Sequence, residues 1–177
     1  MIREFDGKTP KIAPSAFVSE WAYVVGDVEV GEGTGVWPGA VIRGDFGRIV
    51  IGRNCQVEDN AVLHTGNSLT IGDDVIIGHS AVVHCLNIGQ GVLIGNNATI
   101  LDDAEVGDNC IIGANSMVSM GKKVPHNSFA AGVPAEVKWG FSKQDIESMY
   151  RRMSDKYPHI GADSYPEMAR RFREQGL

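Results

Sequence analysis

The sequence predicts an all-β solenoid, a rod of short strands and bends wound around an aliphatic core, and three observations predict it. Aliphatic residues recur every six positions along most of the chain, and a small residue recurs four positions after them. Glycine is abundant and spread, with 22 in 177 residues. A period of six suits neither an α-helix, which repeats every ~3.6 residues, nor a long plain strand, which alternates every ~2. It suits one short strand plus one bend, repeated.

The first aliphatic series is Ile12, Val18, Val24, Val30, Val36 and Ile42. Three extra residues precede its resumption at Ile51, Val57 and Leu63, and two precede Ile71, Ile77 and Val83. With one residue missing, it then runs Ile88, Ile94, Ile100, Val106, Ile112, Val118 and Val124. The small position reads Ala16, Ala22, Val28, Thr34 and Ala40, then Cys55, Ala61, Val75, Ala81, Val92, Ala98, Ala104, Cys110 and Ser116. Glycine often follows the aliphatic, as at Gly31, Gly52, Gly72, Gly78 and Gly89. The aliphatic fills the inside, the small residue fits the corner, and the glycine is expected to supply backbone freedom for the bend.

The chain divides into a lead-in over 1–11, the repeat domain over 12–135 and a helical extension over 136–177. Ser142-Lys143-Gln144-Asp145 reads as a capping box opening a helix to about Met153. Ile146, Met149, Tyr150 and Met153 form its apolar stripe. Tyr165 to Glu174 reads as a second short helix. Terminal coils of a solenoid need covering, and both helices are expected to do that by packing, without chemistry.

A length of 177 residues suits one domain with a sizeable core. Hydrophobic content of 43% and charged content of 21% are those of an ordinary globular protein. A formal net charge of −6, with no long run of Lys or Arg, argues against nucleic acid and anionic membrane as partners. No apolar run approaches the ~20 residues that span a bilayer. The N-terminus, Met1 to Asp6, lacks the apolar stretch of a signal peptide. Cys55, Cys85 and Cys110 are odd in number and show no CxxC spacing, so a reducing cytoplasm is expected.

The six-residue pattern resembles the hexapeptide-repeat family, whose members form a left-handed parallel β-helix of triangular section with three hexads per coil. The resemblance implies a left-handed parallel β-helix of about six to seven triangular coils with a C-terminal α-helical extension. The coils would be 12/18/24, 30/36/42, 51/57/63, 71/77/83, 88/94/100 and 106/112/118, with Val124 opening a partial seventh. Handedness rests on the resemblance, because the usual crossover rule favours the right hand.

That register says where the histidines point. His64 follows Leu63 and His84 follows Val83, on the third face of successive coils. Coils about 4.8 Å apart let two imidazoles share one zinc, at Zn–N distances of about 2.0–2.1 Å. His79, two residues after Ile77, lies on the second face, around a corner from the pair. The three meet if His79 of one subunit completes the site made by His64 and His84 of another, which a cyclic homotrimer allows. Arg43 stands beneath His64 and Asp59 beneath His79. Trp37 on the second face is expected to anchor an interface.

The segments Arg43-Gly44-Asp45, Gln56-Val57-Glu58-Asp59, Val62-Leu63-His64, Gly78-His79 and Val83-His84 resemble the γ-class carbonic anhydrases. That resemblance implies zinc, with iron or cobalt as alternatives, bound by His64, His79 and His84 across a trimer interface. It implies an intersubunit salt bridge between Arg43 and Asp45. It also implies that Glu58 orients the metal-bound hydroxide that attacks carbon dioxide, with Asp59 in the same polar network. Three neutral imidazoles and an open position suit this chemistry, since they bring the pKa of zinc-bound water to about 7. The chain departs from the family at Glu58, where glutamine is usual. It departs again at Thr65 to Ser68, a loop without a carboxylate, and at Phe46, where a proton-shuttling glutamate is expected. Cys85 replaces a usual glycine beside His84, where a thiol could perturb the site. The alternatives are a hexapeptide acyltransferase or CoA thioesterase, and a metal-binding trimer with little catalysis.

Overall fold

The computed structural model describes residues 1–138, 144, 145, 148 and 164–176. The helix expected from Ser142 to Met153 lies largely outside the described residues. The described residues form a left-handed parallel β-helix of about seven coils and, after it, the helix Ser164–Gln175.

The aliphatic columns set the architecture. Ile12, Val30, Ile51, Ile71, Ile88, Val106 and Val124 stack in parallel register on the first face. Val18, Val36, Val57, Ile77, Ile94 and Ile112 stack on the second, ending on Ala130. Val24, Ile42, Leu63, Val83, Ile100 and Val118 stack on the third. From Val24 to Val124 every member is at most 3% exposed. The strands are so short that their backbone groups bond between coils, as in Glu58 N to Ile77 O at 2.9 Å and Gly78 N to Ile94 O at 2.9 Å. Bonding between coils satisfies buried peptide groups without long strands.

The corners correct one expectation. Asn54, Asn60, Asp74, Ser80, Asn97, Asp103, Asn109, Asn115 and Asn127 take φ between 53° and 59°, each just before a small inward residue. Short polar side chains tolerate this left-handed conformation better than other non-glycine residues. The glycines after the aliphatics do not supply the freedom to bend. They let coils approach: a Cβ on Gly52 would lie 2.5 Å from Asp73 Oδ1 and 2.7 Å from the Gly72 carbonyl.

The breaks in register add core. The three extra residues before Ile51 lie within one continuous strand, Val41–Ile51, that passes from the third face to the first. Ile49 points inward and pairs with Leu69 of the strand Ser68–Ile71, and both are fully buried.

The ends are covered by strands. Ile2–Arg3 pairs with Val24-Val25 beside the first coil, and Glu136–Lys138 returns antiparallel on Phe129–Ala131 at the last. Unpaired edges invite association, so this cover keeps the rod discrete. The C-terminal helix, expected at a terminus, lies instead along the second face of the early coils. Its Tyr165, Ala169 and Phe172 pack on Phe17 and Trp37, and Arg173 Nη2 donates to the carbonyls of Ser15 at 3.2 Å and Ala16 at 2.7 Å. Trp37, expected at an interface, is therefore buried by its own chain at 6% exposure, and its Nε1 donates to Gln56 Oε1 at 2.9 Å. Among the described residues no helix is long and apolar enough to cross a membrane.

Candidate metal centre

His64 and His84 owe their meeting to the third-face register. Leu63 pairs with Val83, so the next residue of each strand projects from the same side, one coil apart. The rings are 5.0 Å apart between centroids, and His64 Nδ1 lies 3.0 Å from His84 Nε2. Each ring has a carboxylate on its outer nitrogen. His64 Nε2 is 3.0 Å from Asp45 Oδ1, and His84 Nδ1 is 3.0 Å from Asp102 Oδ1. A neutral imidazole has one N–H and one lone pair. If both outer nitrogens donate to carboxylates, the inner two are left with lone pairs 3.0 Å apart, an arrangement that a cation satisfies.

Asp45 is held between three donors. Arg43 Nη1 donates to Oδ2 at 2.5 Å, while the Phe46 N–H and the His64 ring address Oδ1. Burial alone raises its carboxyl pKa, but these bonds, Arg43 first, outweigh burial and hold it below the usual carboxylate range. The Arg43–Asp45 pair forms within one chain.

His79 stands apart, as its register requires. It occupies the second face with its side chain 52% exposed, Nδ1 3.0 Å from Asp59 Oδ2 and Nε2 3.4 Å from Glu58 Oε2. Among the described residues, no three ligand-type side chains of one chain are grouped to hold a metal. One chain thus brings together His64 and His84 with Asp45, and separately His79 with Glu58 and Asp59. His64 and His84 suit a metal as a pair, and His79 does not join them within one chain.

Other site residues are also placed. Phe46 is 76% exposed with its ring 5.6 Å from that of His64. Cys85 belongs to the solenoid core at 1% exposure, and burial pushes its thiol up to about 12. Two residues were not anticipated. Asp102 was readable in principle, as a carboxylate on the same face one coil beyond His84. Tyr165, whose hydroxyl donates to Glu58 Oε1 from 107 positions away, had no sequence signal.

Comparison with known proteins agrees with the repeat. Residues 68–102 match the family described as hexapeptide repeat of succinyl-transferase, and residues 87–119 that described as bacterial transferase hexapeptide (six repeats). A carbonic anhydrase of Geobacillus kaustophilus is 43% identical over 153 residues, covering 85% of this chain and 84% of that protein. Gamma carbonic anhydrase 2, mitochondrial, of Arabidopsis thaliana is 31% identical over 154 residues, covering 82% of this chain and 55% of the plant protein. A solved Bacillus cereus structure, provisionally designated an acetyltransferase, superposes with a TM-score of 0.86 at 37% identity, over 98% of this chain and 97% of that one.

Proposed function

Because the chain belongs to the γ-class carbonic anhydrase-like proteins of the hexapeptide-repeat family, we propose that it catalyses the reversible hydration of carbon dioxide to bicarbonate. The site would be a metal centre shared between subunits of a homotrimer. The observation that carries this is the convergence of His64 Nδ1 and His84 Nε2, 3.0 Å apart, with each outer nitrogen on a carboxylate. His79 of a neighbouring subunit completes the ligand set. Zinc suits three imidazoles best, and iron or cobalt in the divalent state fits the same donors.

A divalent ion held there supplies the Lewis acidity that lets water add to carbon dioxide near neutral pH. The chain's own residues do the rest. Asp45 and Asp102 fix the outer nitrogens of His64 and His84, which sets which ring nitrogen faces the centre. Asp59 does the same for His79. Glu58, buried at 7% exposure, accepts a hydrogen bond from the reacting water and orients it. Arg43 and Asp45, paired within one chain in this structure, are proposed to exchange partners and pair across the interface when the trimer assembles. With Phe46 beside His64 and no carboxylate from Thr65 to Ser68, proton export falls to buffer. A reducing cytoplasm suits the three buried free thiols.

The test is stopped-flow hydration of carbon dioxide on zinc- and iron-loaded protein, with metal content measured on the same samples. Turnover no greater than that of His64→Ala refutes the activity. A metal-loaded monomer by light scattering refutes the shared site. Acyl transfer from acyl-CoA is the second reading, favoured by the Bacillus cereus superposition. Acetyl-CoA consumption that persists in the metal-free protein would select it.

A further inference from the structure

The C-terminal helix, which sequence alone reads as packing, reaches the candidate site. Tyr165 stands in its first turn, and its hydroxyl donates to Glu58 Oε1. The other oxygen of Glu58, Oε2, lies 3.4 Å from His79 Nε2. One buried carboxylate therefore joins the helix to the histidine that a neighbouring subunit would use. The two contacts occupy different oxygens, so the first restricts where the second points.

The tyrosine is itself firmly placed. Its ring packs on Trp37 at 5.6 Å between centroids, and Trp37 is edge-on to Phe172 of the same helix at 5.5 Å. Arg173 ties the last turn to the Ser15 and Ala16 carbonyls and lies over the Phe17 ring at 5.8 Å. Burial, and then the neighbouring Glu58 charge, keep the phenol more firmly protonated than usual, so it stays a donor. A glutamate has three rotatable bonds, and a carboxylate buried at 7% exposure needs donors to offset lost hydration. The hydroxyl meets that need and removes the rotational freedom.

We propose that Tyr165 is a positioning residue, fixing the Glu58 carboxylate toward the His79 side of the site and making the C-terminal helix part of the catalytic apparatus. What Glu58 then does rests on the proposed carbon dioxide hydration, whereas the coupling of helix to carboxylate does not.

Tyr165→Phe keeps the ring and removes the donor. On the zinc-loaded trimer it lowers kcat about tenfold, the size expected for one hydrogen bond to a charged group, with KM, zinc stoichiometry and melting temperature unchanged. In a Glu58→Ala background the same change costs nothing further. The second arm needs no turnover. In the metal-free full-length protein, amide exchange across 164–175 speeds up in Glu58→Ala and stays as wild type in Glu58→Gln, which keeps an acceptor oxygen. Unchanged kcat in Tyr165→Phe, additive losses in the double variant, or wild-type exchange in Glu58→Ala each overturns the proposal. If the wild type hydrates no carbon dioxide, the activity fails on its own, and exchange alone decides the coupling.

Discussion

Two inactive variants should make an active protein when mixed. His64→Ala destroys the third-face pair but leaves His79 on the second face, and His79→Ala does the reverse. The side chains of His64 and His84 are 14% and 27% exposed and touch each other, while that of His79 is 52% exposed around the corner. A complete site of the proposed shared kind needs the pair from one chain and His79 from its neighbour. Going round a ring of three that contains both variants, whichever is in the majority, one interface joins an intact pair to an intact His79. The other two do not. Co-expressed with two affinity tags and purified on both, the mixed trimers should carry about a third of the wild-type zinc and carbon dioxide hydration. An unfractionated equal mixture should carry about a quarter, because randomly assembled interfaces meet both conditions half the time each. Metal content by mass spectrometry and stopped-flow rates read the same fraction independently. Parents and mixture alike at zero, or single variants that retain full metal, would refute the shared site.

Three further outcomes follow from particular contacts. Asp102→Ala, which frees the outer nitrogen of His84, should weaken zinc binding about 10–100-fold by competition with a chelator, with Asp102→Asn intermediate. Leu69→Ala empties the row it shares with Ile49 and should cost about 2–5 kcal/mol, read from the denaturation midpoint at constant slope. The Cys85 thiol, with burial outweighing a backbone hydrogen bond, rises from 9.0 to about 12. A group raised in the folded state stabilises fully below its unfolded pKa, so stability should hold to pH 9 and erode from there toward pH 12. Cys85→Ala should flatten that decline, and an equally steep one in the variant would count against it.

The coils were legible because one physical rule, an aliphatic on the axis of each short strand, repeats with few slips. Every triplet from 12/18/24 to 106/112/118 stacks in the expected register. The His64–His84 pair followed from the same counting. The corners were misassigned because freedom and close approach both select glycine. Here Asn54 and its counterparts turn the chain, while Gly52 admits a neighbouring backbone. Ile49 and Leu69 escaped because a bent continuous strand gives no six-residue signature. The burial of Trp37 and the bond from Tyr165 to Glu58 depend on where a distant helix docks, which no local pattern encodes.

In a stack of this kind the residue number doubles as a ruler. Six residues inserted anywhere would turn everything downstream onto the next face, whereas a whole extra coil would keep each side chain on its face and shift it about 4.8 Å along the axis. Placed between Leu63 and Val83, that coil would hold His64 and His84 roughly 10 Å apart, beyond what one ion with bonds of about 2 Å can bridge. Placed after Val118, it would lengthen the rod and leave the three histidines where they stand. The same periodicity that builds the prism thus forbids length variation across a single coil and permits it beyond, so lineages of such chains can grow by duplication at the far end while the chemistry stays at a fixed address.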